Sequence, residues 1–107
     1  MATANKILGQ SKPAATTNTT LYTVPASTQA NVNVFVSNQA AGDDKVRVAV
    51  TKSGNALATS NYLVYDTIIP PNSSLNLTGI ALATGDFVTV YCTGGNCSFN
   101  ATGIEIS

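Results

Sequence analysis

The sequence predicts an all-β fold, a single antiparallel β-sandwich of about seven to eight short strands with jelly-roll or Greek-key-like connections. Three observations support this prediction. Apolar and polar residues alternate in several short runs, turn-forming residues separate these runs at regular spacing, and no window has the periodicity of an amphipathic helix. The 107 residues fit one domain, which buries roughly 65% of the surface of the unfolded chain.

The first segment, residues 1–17, predicts an extended N-terminal arm, and residues 18–107 then form the β-sandwich domain. The segment is small, polar and aperiodic, so it lacks the pattern of a core element. Such an arm is either mobile or lies across a neighbouring subunit. Because Ile7 and Leu8 are its large apolar side chains apart from the first residue, we expect Lys6, Ile7 and Leu8 to contact a partner.

Seven runs after this arm have the strand pattern. Valine occupies every second position in two of them, 31–37 and 45–51, so each of these strands has one buried face. The run 61–69 is richer in large apolar residues and ends at a pair of prolines. The full set of predicted strands is 19–24, 31–37, 45–51, 61–69, 74–80, 87–92 and 97–106.

Turn-forming residues separate the strands. They occur at Gly42-Asp43-Asp44, Ser53-Gly54-Asn55, Pro70-Pro71-Asn72 and Thr84-Gly85-Asp86. No helical pattern follows Ser53-Gly54-Asn55 or Thr84-Gly85-Asp86 in the way that a phosphate-binding loop requires. Residues 56–60 could form one helical turn, which is the weaker alternative to a loop.

The last two strands meet at Gly94-Gly95, where we predict a two-residue β-hairpin with a type I′ turn. In this register Cys92 lies opposite Cys97, and a slip of one residue would mix the apolar and polar faces. The isoleucines after Gly103 have the wrong parity for the apolar face, so we predict a β-bulge at Thr102-Gly103. The apolar face of the hairpin then carries Val88, Val90, Cys92, Cys97, Phe99 and Ala101.

Cys92 and Cys97 are the two cysteines of the chain. Directly opposed residues in such a hairpin have Cα atoms about 4.5–5.5 Å apart, so a disulfide is one interpretation. Two reduced thiols in the core are the other, because thiols stay reduced in the cytoplasm. We expect no four-ligand zinc site, since the chain has no histidine and no further cysteine, and a cysteine nucleophile would lack its usual histidine partner.

The remaining candidate site residues favour structural roles. Asp43 and Asp44 fit a solvated turn better than a calcium loop, which needs a longer run of spaced oxygen ligands. Asp66 and Glu105 are not brought together by any pattern, so we expect no glycosidase pair. Four tyrosines could form a sugar-stacking patch, although packing in the core or an interface is the favoured interpretation: Tyr22, Tyr62, Tyr65 and Tyr91.

The composition argues against several classes of partner. Charged residues make up 9% of the chain, and five acids balance five bases, so we expect no nucleic-acid partner. No window approaches the roughly 20 apolar residues of a membrane span, and we expect no membrane partner. The first ten residues carry no apolar run like that of a signal peptide, so we expect folding in the cytoplasm. The Asn-x-Ser/Thr triplets then follow from an Asn- and Thr-rich composition.

Five segments in order resemble short virion structural proteins of tailed phages, notably phages of marine cyanobacteria. They are KILGQ at 6–10, LYTVPA at 21–26, YLVYDT at 62–67, LATGDFVTVY at 82–91 and GIEI at 103–106. The resemblance spans nearly the whole chain, but the cysteine pair lies outside it. It implies a β-sandwich that coats or joins part of the particle, and it implies no catalytic residues.

The resemblance leads us to expect a capsid decoration (cement) protein in the virion, made in the host cytoplasm, with the major capsid protein as partner. A tail, neck, baseplate or fibre-associated structural protein is the alternative in the same class. A host-surface or glycan-binding β-sandwich module is the alternative in another class. We expect no enzymatic activity, no cofactor and no metal. Uncovered strand edges favour a homo-oligomer, with a trimer as one arrangement.

Overall fold

A computed structural model describes residues 3–107, which form two four-stranded antiparallel β-sheets packed into a sandwich. This confirms the predicted fold class. One 3-10 turn, Thr59–Asn61, overlaps the end of the helical turn considered for residues 56–60. The strands are β1 (Thr3–Ser11), β2 (Thr19–Thr23), β3 (Gln29–Asn38), β4 (Asp44–Thr51), β5 (Tyr62–Ile69), β6 (Ser74–Leu82), β7 (Phe87–Cys92) and β8 (Cys97–Ile106).

The strand order distinguishes between the two predicted kinds of connection. One sheet, which we call the β3 sheet, has the order β1-β8-β3-β6, and the other, the β4 sheet, has the order β2-β7-β4-β5. Within residues 3–107, β4 and β5 are the consecutive strands that pair with each other, and the other connections cross between the sheets. This is the order of an eight-stranded jelly roll, in which two Greek keys wrap around one core.

The core lies between the two sheets and is built mainly from valine. In β3 the exposed and buried positions alternate along the whole strand, as the period-two pattern predicts. The three central inward positions of β3 carry the β-branched residues Val32, Val34 and Val36, which favour the pleated backbone over a helix. The largest side chains that are almost fully enclosed include Phe99, Ile69, Val32, Val34, Val36, Val46, Val48, Val88 and Val90.

The predicted N-terminal arm differs from the structure. Residues 3–11 form β1, which pairs antiparallel with β8 from Thr3 opposite Ile106 to Ser11 opposite Phe99. The sandwich therefore includes this segment and does not begin at residue 18. The first two residues of the predicted arm lie outside the described residues. The strand lacks a clear alternating pattern because it lies at a sheet edge and most of its side chains are exposed.

The predicted hairpin of the last two strands is wrong. β7 pairs with β2 and β4, whereas β8 pairs with β1 and β3, so residues 93–96 carry the chain from one sheet to the other. The predicted apolar face is nevertheless correct, because parity is a property of each strand alone and either connection satisfies it. All its members are fully buried: Val88, Val90, Cys92, Cys97, Phe99 and Ala101.

The β-bulge predicted at Thr102-Gly103 is also wrong. β8 pairs with β3 without interruption, with Gly103 opposite Val32. The irregularity lies across the ladder in β1, where Leu8 is the extra residue. Gly103 is required because a Cβ atom there would lie 1.9 Å from the carbonyl oxygen of Asn31. The uninterrupted strand turns Glu105 inward, on the same face as Ala101.

The edge strands are irregular, while the inner strand pairs are regular. No register shift occurs between β3 and β8 or between β4 and β7. The ladders that contain β1, β2, β5 and β6 each have at least one shift. Bulges twist an edge away from further strand pairing, so these edges are poor templates for adding another chain. No helix in residues 3–107 is long and apolar enough to cross a membrane.

Candidate functional site

A buried carboxylate organises the crossing between the sheets. Asp44, the first residue of β4, is 5% exposed. Its oxygens accept hydrogen bonds from the backbone N–H groups of Lys45 and Gly94, both at 2.8 Å, and of Asn96 at 3.3 Å. The Sγ–H of Cys92 donates to Oδ2 of the same carboxylate at 2.9 Å. Asp44 thus holds the segment 93–96 in its crossing conformation.

The solvated turn predicted at Asp43-Asp44 is correct for Asp43, which is exposed, and wrong for Asp44. The signal in the sequence was parity, because Asp44 stands two positions before Val46 and therefore on the inward face of β4. Gly94 makes the close approach of this carboxylate possible. A Cβ atom on Gly94 would lie 2.8 Å from Oδ2 of Asp44.

Cys92 and Cys97 face each other across the crossing rather than within a hairpin. Both are fully buried and both thiols are free. Their Sγ atoms and a carboxylate oxygen of Asp44 all lie within 4.8 Å of one another. The disulfide interpretation rested on the hairpin register, which is wrong, but the thiols remain near neighbours and disulfide formation stays a prediction.

Burial and hydrogen bonding shift the pKa of Asp44 in opposite directions, whereas both raise the pKa of Cys97. Burial raises the pKa of Asp44, but hydrogen bonds from Cys92 and from the N–H groups of Gly94, Lys45 and Asn96 outweigh it, so the pKa lies below its ordinary value. Burial, together with Cys92 and the Asp44 charge, raises the pKa of Cys97 to about 12. The carboxylate is therefore ionised and the Cys97 thiol protonated at neutral pH.

The outer face of the β4 sheet carries a second cluster, the tyrosine–arginine face, formed by Arg47, Tyr62, Tyr65, Asp66 and Tyr91. The guanidinium carbon of Arg47 lies 4.2 Å from the ring centre of Tyr65 and 4.3 Å from that of Tyr91. Its Nε donates to Asp66 Oδ1 at 2.6 Å and its Nη2 to Oδ2 at 3.3 Å. Tyr62 and Tyr65 meet edge to face at 4.9 Å. Stacking and a two-point ion pair thus fix the arginine.

A bulge in the edge strand β5 assembles this face. Val46 pairs with Thr67 and Val48 with Val64, so Tyr65 and Asp66 together oppose the single residue between the valines, Arg47. Asp66 has a φ of 51°, in the left-handed region that such a bulge uses. The hydrogen bond from Arg47 lowers the pKa of Asp66 and, in return, raises that of Arg47. The sequence pattern could not show the bulge, because it depends on the pairing.

Large exposed apolar side chains concentrate on the same strand. Leu63, Tyr65 and Ile68 of β5, which we call the β5 patch, are 46%, 54% and 55% exposed. Phe35 and Ile7 are exposed on the β3 sheet, on strands separated by β8. Three of the five large exposed apolar side chains of the described residues therefore lie on β5.

The three residues of the arm that were predicted to contact a partner, Lys6, Ile7 and Leu8, differ in their contacts and exposure. Lys6 Nζ forms an ion pair with Glu105 Oε1 at 2.7 Å, and Leu8 packs against the core. Ile7 is 61% exposed and is the one of the three whose side chain is free to meet a partner. Alternation along β1 explains the split, because neighbouring side chains of a strand point to opposite faces and Ile7 and Leu8 are consecutive.

Glu105 and Asp66 are not brought together, as expected. Glu105 lies on the inward face of β8, whereas Asp66 lies on the outer face of the other sheet. The Tyr22 hydroxyl donates to Glu105 Oε2 at 2.5 Å. Hydrogen bonds from Lys6 and Tyr22 lower the pKa of Glu105, while burial and this carboxylate raise the pKa of Tyr22. Tyr22 is 8% exposed, so it is a core residue and not part of a tyrosine surface.

A shallow cavity of about 320 Å³ opens beside the buried carboxylate. It joins the crossing segment to the β5 patch, since both contribute to its wall. Its lining residues are Asp43, Asp44, Lys45, Ile68, Thr93 and Gly94. Solvent therefore reaches the edge of the Asp44 cluster from this side.

Comparison with known proteins adds no family assignment. No protein-family model matches the sequence, and no curated protein matches it.

Proposed function

We propose that this chain is a virion structural protein of a tailed phage and, more specifically, a capsid decoration protein that bridges subunits of the shell. The observation that carries the proposal is the jelly-roll strand order, a topology that recurs in viral capsid domains. A fold alone does not determine function. The sequence resemblance to short virion proteins supplies the second, independent ground.

The β5 patch is the contact surface in this proposal. Leu63, Tyr65 and Ile68 project from one edge strand of a chain in which 9% of the residues are charged. Apolar burial contributes about 25 cal/mol per Å² before the costs of association. A small patch binds weakly by itself, but a lattice of capsid subunits presents many equivalent sites, and a decoration protein that bridges them gains from multivalency.

The carboxylates support a role without catalysis. Asp66 is paired with Arg47, Glu105 with Lys6, and Asp44 with backbone N–H groups. The carboxylate of Asp86 accepts hydrogen bonds from the backbone N–H groups of Ser53 and Ala83. Each of these four groups is thus engaged in holding strands or turns, which favours a structural protein over a hydrolase.

The proposal places the protein in the virion after synthesis in the host cytoplasm, with the major capsid protein as its partner. A homo-oligomer, for example a trimer, would arise through a sheet face and not through strand addition, because the edges are bulged. A tail, neck, baseplate or fibre position would use the same patch on a different partner. The number of copies per particle separates these positions, since a shell offers many more sites than a neck.

Binding to purified particles tests the proposal. The protein is mixed with phage capsids and, separately, with tails, and bound protein is measured after sedimentation. Binding to capsids in numbers that scale with shell subunits supports a decoration protein. Binding to tails alone moves it to the alternative position, and binding to neither overturns the proposal.

A glycan-binding module is the second candidate, because the tyrosine–arginine face exposes aromatic rings on a jelly roll, a fold that lectin domains also use. Arg47 already covers one side of the Tyr65 and Tyr91 rings, which leaves less area for stacking on a sugar. A glycan array with the intact protein distinguishes the candidates. Selective binding that is lost in Tyr65→Ala, a variant of an exposed residue, would favour the module.

A further inference from the structure

We propose that Asp44, Cys92 and Cys97 form a binding site for a soft divalent metal ion such as Zn²⁺. The proposal is independent of the virion assignment, because it concerns the crossing between the sheets and not the contact surface. It rests on three ligating side chains that converge from β4, β7 and β8.

The distances between the ligand atoms suit a tetrahedral ion. Zinc binds thiolate sulfur at about 2.3 Å and carboxylate oxygen at about 2.0–2.2 Å, which separates neighbouring ligand atoms by roughly 3.6–3.8 Å. The three ligand atoms lie within 4.8 Å of one another, and Cys92 Sγ is 2.9 Å from Asp44 Oδ2. Side-chain shifts on the order of 1 Å therefore convert the hydrogen-bonded cluster into a coordination shell.

The chemistry of the donor set selects the ion. Two thiolates favour zinc and other soft ions, whereas magnesium and calcium require oxygen ligands. Four residues separate Cys92 from Cys97, a spacing found in zinc sites. The N–H groups of Gly94 and Asn96 already orient the Asp44 carboxylate, as partners of a ligand do in metal sites.

In the proposed site, a water molecule is the fourth ligand of the metal ion. The cavity of about 320 Å³ reaches Asp44 and Gly94 from solvent. Three protein ligands and one water complete a tetrahedral zinc site. The absence of histidine, which argued against a site of four protein ligands, does not argue against this one.

The proton balance follows from the resting states of the ligands. Asp44 enters as a carboxylate, and each cysteine gives up its thiol proton to solvent when its sulfur binds the ion. Two protons are thus released per ion, and the Sγ–H bond from Cys92 to Asp44 is replaced by two bonds to the metal. The charge of the ion offsets the cost of forming buried thiolates. A disulfide between the same sulfurs would remove the site, so binding requires the reduced protein.

Titration of the reduced protein with Co²⁺ and Zn²⁺ tests the site. The ions are added to the folded protein and, in a second arm, during refolding, so that slow entry is not mistaken for absence of binding. We expect one equivalent of Co²⁺ to give sulfur-to-metal charge-transfer absorption and each Zn²⁺ to release two protons. Free Zn²⁺ at 100 times its Kd should raise the folding equilibrium constant about 100-fold.

Variants assign the ligands. Cys92→Ser and Cys97→Ser should each abolish the charge-transfer band or weaken binding at least tenfold, while Asp43→Asn, an exposed neighbour of a proposed ligand, should bind as the wild type does. Circular dichroism identifies any variant that fails to fold. If a variant does not fold, the titration of the wild-type protein still decides whether the site binds metal. Absence of binding in both arms, or binding without release of protons from the thiols, would overturn the proposal.

Discussion

The carboxylate of Asp44 accepts the backbone N–H of Gly94 at 2.8 Å, so the first residue of β4 holds the segment that links β7 to β8. This contact joins residues 50 positions apart and spans the point where the chain changes sheets. At this end of the sandwich, a buried carboxylate thus holds the connection between the two sheets, which is not a tight turn.

Replacing Asp44 by asparagine should destabilise the protein. The amide keeps one acceptor oxygen but sets an NH₂ group among N–H donors, and hydrogen bonds to a charged group contribute about 1.5–3 kcal/mol each. We expect the free energy of unfolding to fall by about 2 kcal/mol or more in urea denaturation. Asp43→Asn should change it by less than about 0.5 kcal/mol, because that side chain is exposed. Equal effects of the two variants would contradict the structural role of Asp44.

Acid should destabilise the wild type more than Asp44→Asn. A carboxyl whose folded-state pKa lies below its unfolded value binds fewer protons when folded, so its contribution is complete above the unfolded pKa of about 3.9. That contribution is lost as the pH falls through the folded-state pKa of Asp44, which lies below its ordinary value. Urea midpoints measured from pH 6 to pH 2 should therefore converge for the two proteins at low pH. A constant difference would contradict the shifted pKa.

Gly103 offers a test of the strand order. Its place opposite Val32 leaves no room for a side chain, because a Cβ atom would lie 1.9 Å from the Asn31 carbonyl oxygen. Gly103→Ala should lower the free energy of unfolding by about 1–3 kcal/mol, the usual cost of overpacking. Gly42→Ala is the matched control, since a Cβ atom there meets nothing within 4 Å. A neutral Gly103→Ala would argue against the close pairing of β3 with β8.

The two thiols should be inaccessible in the folded protein. Cys92 and Cys97 are 0% exposed, and the raised pKa of Cys97 keeps its thiol protonated. Alkylation followed by mass spectrometry should therefore label neither residue in native buffer and both in denaturant after reduction. Samples without reductant show whether a disulfide forms. Rapid labelling of the native protein would contradict the buried crossing.

The predictions from sequence succeeded where they depended on one strand and failed where they depended on its neighbours. Seven of the eight strands were predicted from the sequence, most of them from alternation, because a buried face leaves a period-two pattern. β1 left no such pattern, since an edge strand with exposed side chains needs none. Cys92 and Cys97 point inward whether β7 and β8 are joined by a hairpin in one sheet or by a connection between the two sheets. The alternation pattern therefore could not distinguish these two connections.

The two candidate sites differ in how far they could be predicted. Asp44 shares the parity of the β4 valines, so its burial was readable, but its bonds to Gly94 and Asn96 depend on the crossing. The contact of Arg47 with Asp66 requires the bulge in β5, which arises from pairing between strands. The exposed β5 patch could not be predicted, because its strand pattern resembles that of a core strand.

Two exposed isoleucines, one on each candidate partner surface, allow the two surfaces to be tested separately. Ile68 in the β5 patch and Ile7 in β1 are 55% and 61% exposed and lie on different sheets. Ile68→Ser should weaken binding to phage capsids at least tenfold while leaving the urea midpoint nearly unchanged. Ile7→Ser should bind as the wild type does. The reverse result would move the contact to β1, the segment first predicted to meet a partner.

Electron microscopy of the intact phage particle tests the central proposal most directly. The proposal predicts density for the jelly roll on the outer surface of the capsid, repeated with the symmetry of the shell and contacting it through Leu63, Tyr65 and Ile68. Density for the chain in the tail, neck or baseplate alone would contradict a decoration protein. A particle in which the chain is absent would contradict a virion role altogether.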